Sequence, residues 1–108
     1  MSINELVQKA HENAVNHGFW EDFKEEIADN KDLVNNAIGN RLMLIVSEVA
    51  EAQDGLRKND IDNFKEELAD IAIRLGDLCG GLDIDLEEEI KKKMEINKSR
   101  EYKHGKAF

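Results

Sequence analysis

The sequence predicts an all-α fold: a four-helix bundle with an antiparallel central helix pair, assembled as an oligomer. Three observations carry this expectation. The chain has no proline in 108 residues, so the strongest helix breaker is missing. Apolar residues recur at intervals of three and four, the helical period. The breaks between these periodic stretches are short, which favours helices folding back on their neighbours.

The first helix is expected from about Ser2 to His17. Ile3, Leu6, Val7, Ala10 and Ala14 keep helical spacing, and Gly18 fits a C-terminal stop with Phe19 packing back. Between Gly18 and Asp32, Phe19, Trp20, Phe23 and Ile27 stand among acidic residues, a pattern for a loop with one helical turn. The second helix is expected from Leu33 or Asn36 to Leu56, centred on Leu42–Val46. Arg57–Asp60 is a short connection in which Asp60 or Asn63 caps the third helix, expected from Ile61 to Cys79. Its stripe is Phe64, Leu68, Ile71, Leu75 and Leu78, with Cys79 a buried small residue and Gly80-Gly81 the stop. Asp85 and Glu88 form a capping-box variant opening the fourth helix, expected to Arg100. All this reads as one domain over 1–108: N-terminal helix and loop in 1–32, core in about 33–100, tail in 101–108.

Composition narrows the function. A net charge of −9 repels a phosphate backbone and argues against nucleic-acid polymers as partners. No apolar run approaches a membrane span, and Met1–Glu5 lacks the basic-then-apolar pattern of a signal peptide. Cys79 is the single cysteine, so no intrachain disulfide forms and a cytoplasmic setting is expected. An acidic chain that handles a phosphorylated ligand needs local cations or bound metal.

Glu48 and Glu51 lie three apart, as do Glu67 and Asp70, which puts each pair on one side of its helix. With 24 acidic residues, such spacing alone is common, and two solvated pairs would satisfy it. Placement says more. Glu48 and Glu51 interrupt Leu42–Ala52, a stretch apolar on almost every side and therefore expected to be buried. Buried carboxylates need a partner or a metal. Oxygen donors without nearby histidine or cysteine suit Mg²⁺, or Mn²⁺, rather than Zn²⁺. A di-iron carboxylate bundle would require Glu-x-x-His on two helices, and Glu101–His104 is the one match.

On the fourth helix, the inward stripe of Leu86 and Ile90 continues as Lys93, Asn97 and Arg100. A stripe turning cationic suits an anion-binding cleft, or basic side chains lying along the bundle end. Arg74, four residues after Asp70, either neutralises Asp70 or Glu67 or touches a phosphate. Asn40 shares the Glu48/Glu51 face and either contacts a sugar or serves packing. Trp20 is either a core anchor or a stacking platform, and His11 lies at the edge of the apolar side of its helix.

Glu48-x-x-Glu51, Glu67-x-x-Asp70 within Glu66–Ile71, and Lys93-x-x-x-Asn97-x-x-Arg100 together resemble the MazG-like all-α nucleoside triphosphate pyrophosphohydrolases. The resemblance runs from about Asn40 to Arg100. His11 and Trp20 extend it by matching positions that line the base pocket in the dCTPase-like branch. It implies hydrolysis of (deoxy)nucleoside triphosphates between the α and β phosphates, giving monophosphate and pyrophosphate. Carried over, Glu48, Glu51, Glu67 and Asp70 hold Mg²⁺, and Glu48 or Glu51 activates water. Lys93, Asn97 and Arg74, with Arg100, Trp20, His11 and Asn40, contact the substrate. The chain departs from many relatives at Ser47, where they carry a further glutamate. The apolar excess on Leu42–Ala52 implies a homodimer or homotetramer. The rival readings are a non-enzymatic helical oligomerisation module and, within the same fold, a phosphoribosyl-ATP pyrophosphohydrolase.

Overall fold

A computed structural model of the chain describes residues 1–23 and 29–100. Ile27, the tail and the Glu101–His104 pair lie outside the described residues. The described residues are all-helical. Helix α1 spans Ile3–Asn16, a 3₁₀ turn spans Glu21–Phe23, and helices α2, α3 and α4 span Lys31–Arg57, Ile61–Gly81 and Leu86–Lys98.

Local chemistry explains the boundaries. Ser2 opens α1 with a reciprocal capping box: its hydroxyl accepts from the Glu5 N–H while the Glu5 carboxylate accepts from the Ser2 N–H. The stop at Gly18 is as expected, in the left-handed region at φ 82°. Phe19, however, does not pack back: it is 70% exposed. Asn30 caps α2 by accepting from the Asp32 and Leu33 N–H groups, which starts that helix earlier than its apolar pattern does. Asp60 rather than Asn63 caps α3, accepting from the Asn63 N–H at 3.1 Å. Asp85 opens α4 as expected, accepting from the Glu88 N–H.

Gly80 and Gly81 were expected to stop the third helix, yet α3 runs through both. Their work is steric. Gly76 and Gly80, four apart, present a shallow groove on α3 where Leu6 and Ala10 approach Gly76 and His11 and Val7 approach Gly80. Trp20 rests against Gly81.

Helix α3 is the central element. It packs against α2 on one side and α1 on the other, while α4 touches α1 and contributes no buried residue. The Asn4 amide donates to Glu87 at 3.2 Å across the α1–α4 contact. Between α2 and α3, Gly55 meets Phe64 close to the connecting turn, and Glu48 meets Arg74 further from it.

Leu78 apart, the core is built from small residues: Ala10, Ala14, Ala52 and Cys79 are buried with it, and Gly55 and Gly76 sit at the crossings. Burial pushes the Cys79 thiol up from its ordinary pKa. The stripe expected on the third helix is only half realised, since Leu68 and Leu75 are exposed. Length supplies the reason. At 1.5 Å per residue α1 is about 21 Å long and α2 about 40 Å, so α1 cannot cover the whole α2–α3 pair. Leu42, Met43, Val46 and Val49 of α2 consequently stay exposed in the single chain.

Candidate metal centre and its cleft

Glu48 on α2 and Glu67 and Asp70 on α3 each bring a carboxylate oxygen to within 4.8 Å of one another. The short Lys58–Asp60 connection makes this possible, because it lets two neighbouring helices meet face to face at the depth of these residues. Glu48 and Glu67 are buried, whereas Asp70 opens to solvent. Glu51 is exposed as well and stands outside the triad, though its charge still acts on Glu67.

The two buried carboxyls divide the charge unequally. Contact with Glu48, burial, and the nearby charge of Glu51 push Glu67 up to about 7. Glu48 is held below its ordinary value by the proton of Glu67 and by the guanidinium of Arg74, whose Nε donates to Glu48 Oε1 at 3.1 Å. Below neutrality the pair therefore shares one proton, which it gives up as pH rises through about 7. Glu67 Oε2 is enclosed and has no hydrogen-bond partner among the described residues. An enclosed oxygen without a donor carries a desolvation cost that a cation or donor would relieve.

Arg74 does not pair with Asp70 or Glu67 as anticipated. It reaches across to Glu48 because that carboxylate is buried at the helix interface and requires a counter-charge.

Beside the triad lies a cleft of about 500 Å³ between α1, α2 and α3. Its walls are Ala10, Asn13 and Ala14 from α1, Phe19 and Asp22 from the following turn, Asn40, Arg41, Leu44 and Glu48 from α2, and Asp70, Ile73, Arg74 and Asp77 from α3. Its size is that of pockets that enclose small organic ligands.

Of the residues expected at a site, Asn40, Glu48, Asp70 and Arg74 share this cleft, and Glu67 adjoins it through the triad. His11 and Trp20 meet beside it at a common anchor. The Trp20 indole N–H donates to Asp77 Oδ1 at 2.7 Å, and His11 Nδ1 lies 3.1 Å from the same oxygen. The two rings form an edge-to-face pair 5.0 Å apart. The Trp20 ring is already covered by the Arg41 guanidinium, 3.8 Å from its centroid. Lys93, Asn97 and Arg100 are all exposed, from the middle of α4 to just beyond its end, and none belongs to the cleft walls.

Sequence reasoning missed Asp77, Arg41, Asp22 and Asn13. Asp77 was findable: Glu67, Asp70, Arg74 and Asp77 form one ladder at steps of three, four and three. Arg41 is a lone cation at the head of an apolar run, a second usable signal. Asp22 and Asn13 carry no comparable pattern.

Compared with protein-family models, with curated proteins and with solved structures, the chain matches none of them.

Proposed function

We propose that the chain is a Mg²⁺-dependent nucleoside triphosphate pyrophosphohydrolase of the cytoplasm. The single observation that most supports this is the enclosed, unpartnered Glu67 Oε2 beside Glu48 and Asp70, at the edge of a cleft of about 500 Å³. The donors are all oxygens, which fits Mg²⁺, with Mn²⁺ the next candidate. Glu48, Glu67 and Asp70 would hold the ion, with Glu51 able to join by side-chain rotation. When bound, Mg²⁺ supplies positive charge that offsets the triphosphate and the charge growing on its oxygens.

The chain's own residues have the remaining tasks. In the reaction, a water oxygen bonds to the α-phosphorus as the bond from that phosphorus to the bridging oxygen breaks, releasing pyrophosphate. Glu48 is engaged by Arg74 and would be taken up by the ion, which leaves Glu51 as the carboxylate to orient the water and take its proton. Arg74 would hold Glu48 ionised and face the phosphates from the cleft wall. Asn40 would meet the sugar, and His11 and Trp20 would shape the base end.

The same reading makes α2 and α3 the antiparallel centre of a four-helix bundle, completed as a homodimer or homotetramer. The Gly55–Phe64 and Glu48–Arg74 contacts support the antiparallel pairing. Exposed Leu42, Met43, Val46 and Val49 support the assembly. Lys93, Asn97 and Arg100 would meet the phosphates only in the assembled form, because α4 does not line the cleft of one chain. The exposed apolar residues equally favour a second reading, a non-enzymatic helical oligomerisation module.

Pyrophosphate release from a panel of ribo- and deoxyribonucleoside triphosphates, with Mg²⁺ and with EDTA, separates the two. Turnover that EDTA abolishes is expected; no turnover of any nucleotide leaves the assembly module.

A further inference from the structure

We propose that Arg41 is a positioning residue that clamps the Gly18–Phe23 turn onto α2 and thereby fixes the Trp20 side of the cleft. The inference rests on the reading of that cleft as a substrate site.

None of Glu21–Phe23 is buried, so apart from the half-buried Trp20 and Phe23 rings apolar burial holds little of this turn in place. Arg41 does so instead. Its two terminal nitrogens fork onto the Asp22 carboxylate at 2.9 and 2.8 Å. One of them also donates to the Phe19 carbonyl at 2.7 Å, and the other returns to the Ala37 carbonyl of its own helix at 3.2 Å. The flat guanidinium lies over Trp20 at 3.8 Å and near Phe23 at 4.8 Å from the ring centroids. The side chain is only 11% exposed, which leaves this charge poorly screened by solvent. Its charge holds the Asp22 carboxyl below the usual range.

The geometry requires arginine. A planar fork can grip a carboxylate, donate to two carbonyls and stack on an indole at once, whereas a lysine ammonium is a point charge without that plane. Asp77 and Gly81 seat the far side of Trp20, so Arg41 closes the arrangement from the α2 side. Phe19 and Asp22, the turn residues on the cleft wall, are two that Arg41 grips directly.

Trp20 is the single tryptophan, so its emission reports this turn alone. Arg41→Ala and Arg41→Lys, with Asp22→Ala breaking the clamp from its half-exposed end, are compared with the parent chain. Far-UV circular dichroism checks that the helices persist. The expected result is emission shifted to the red and more readily quenched by acrylamide in all three variants. In turnover assays KM rises about tenfold while kcat stays within about twofold, the pattern of substrate binding lost equally in the ground and transition states. Parental emission and quenching in both Arg41→Lys and Asp22→Ala would overturn the clamp, and altered emission with parental KM would overturn its bearing on the cleft. Absence of turnover in the parent chain overturns the enzymatic reading instead, while the emission measurement still decides the clamp.

Discussion

The indole of Trp20 occupies the space that a Cβ on Gly81 would need. This contact joins the end of α3 to the turn after α1. It gives the glycine a steric purpose inside a helix, where glycine is otherwise unfavourable by about 1 kcal/mol relative to alanine. Trp20 has little room to yield, because Asp77 holds its N–H and Arg41 covers its face.

Gly81→Ala is therefore expected to lower stability despite its better helix propensity. Overpacking costs about 1–3 kcal/mol, which exceeds the propensity gain of about 1 kcal/mol. Gly39 is the control, since a Cβ there meets nothing within 4 Å among the described residues; Gly39→Ala should raise stability by about 0.5–1 kcal/mol. Urea unfolding of both variants measures the difference, and a stabilised Gly81→Ala would show that Trp20 is not wedged there.

The carboxyl of Glu67 makes stability depend on pH in a defined direction. Its value of about 7 in the folded chain lies above the ordinary carboxylate range, so the folded state binds this proton more tightly than the unfolded one. Its contribution is fully present below the ordinary value of 4.5 and is lost as pH rises through about 7. Without metal, Glu67→Gln should match the parent near the bottom of that window and surpass it above the top. Thermal unfolding across the range checks this, and parallel curves for the two proteins would contradict it.

Mg²⁺ should reverse that order. A cation drawn to ionised Glu67, Glu48 and Asp70 stabilises the parent chain, by about 2.7 kcal/mol at a hundredfold excess over Kd, and leaves Glu67→Gln nearly unmoved. Turnover should fall with the same substitution. An equal shift in both proteins would place the ion elsewhere.

Arg74→Ala leaves the buried Glu48 without its guanidinium. The expected loss is about 1–3 kcal/mol, largest above neutrality, where Glu67 no longer supplies a proton to the pair. Chemical unfolding at two pH values measures it. A loss independent of pH would show that Arg74 acts through packing alone.

Met43 and Val46 test assembly. Replacing both with glutamate should leave the helices intact but shift sedimentation to the single chain at concentrations where the parent associates. A parent that sediments as a single chain throughout would leave these side chains open to solvent.

Much of the helical plan was legible because it is local. The period of apolar residues, Asp60 and Asp85 as caps, and Gly18 in the left-handed region all act within a few residues of chain. The glycines of α3 misled for a related reason: locally they read as a stop, while their purpose depends on His11 and Trp20 arriving from elsewhere. The acidic pairs were legible as pairs, but their inequality was not. Glu48 and Glu67 are buried while Glu51 and Asp70 are exposed, a distinction set by how α2 and α3 rotate against each other.

By itself, then, the amino-acid order determined that this chain is helical, where all its helices but α2 begin, and which carboxylates share a side of each. Those outcomes follow from hydrogen bonds and steric limits spanning one or two turns. Only tertiary packing decided that Arg74 serves Glu48, that Arg41 and Asp77 hold Trp20 from two helices, and that α4 stands apart from the cleft. These depend on crossing positions and relative helix lengths, through which residues far apart in the chain meet, and no spacing along one helix encodes them.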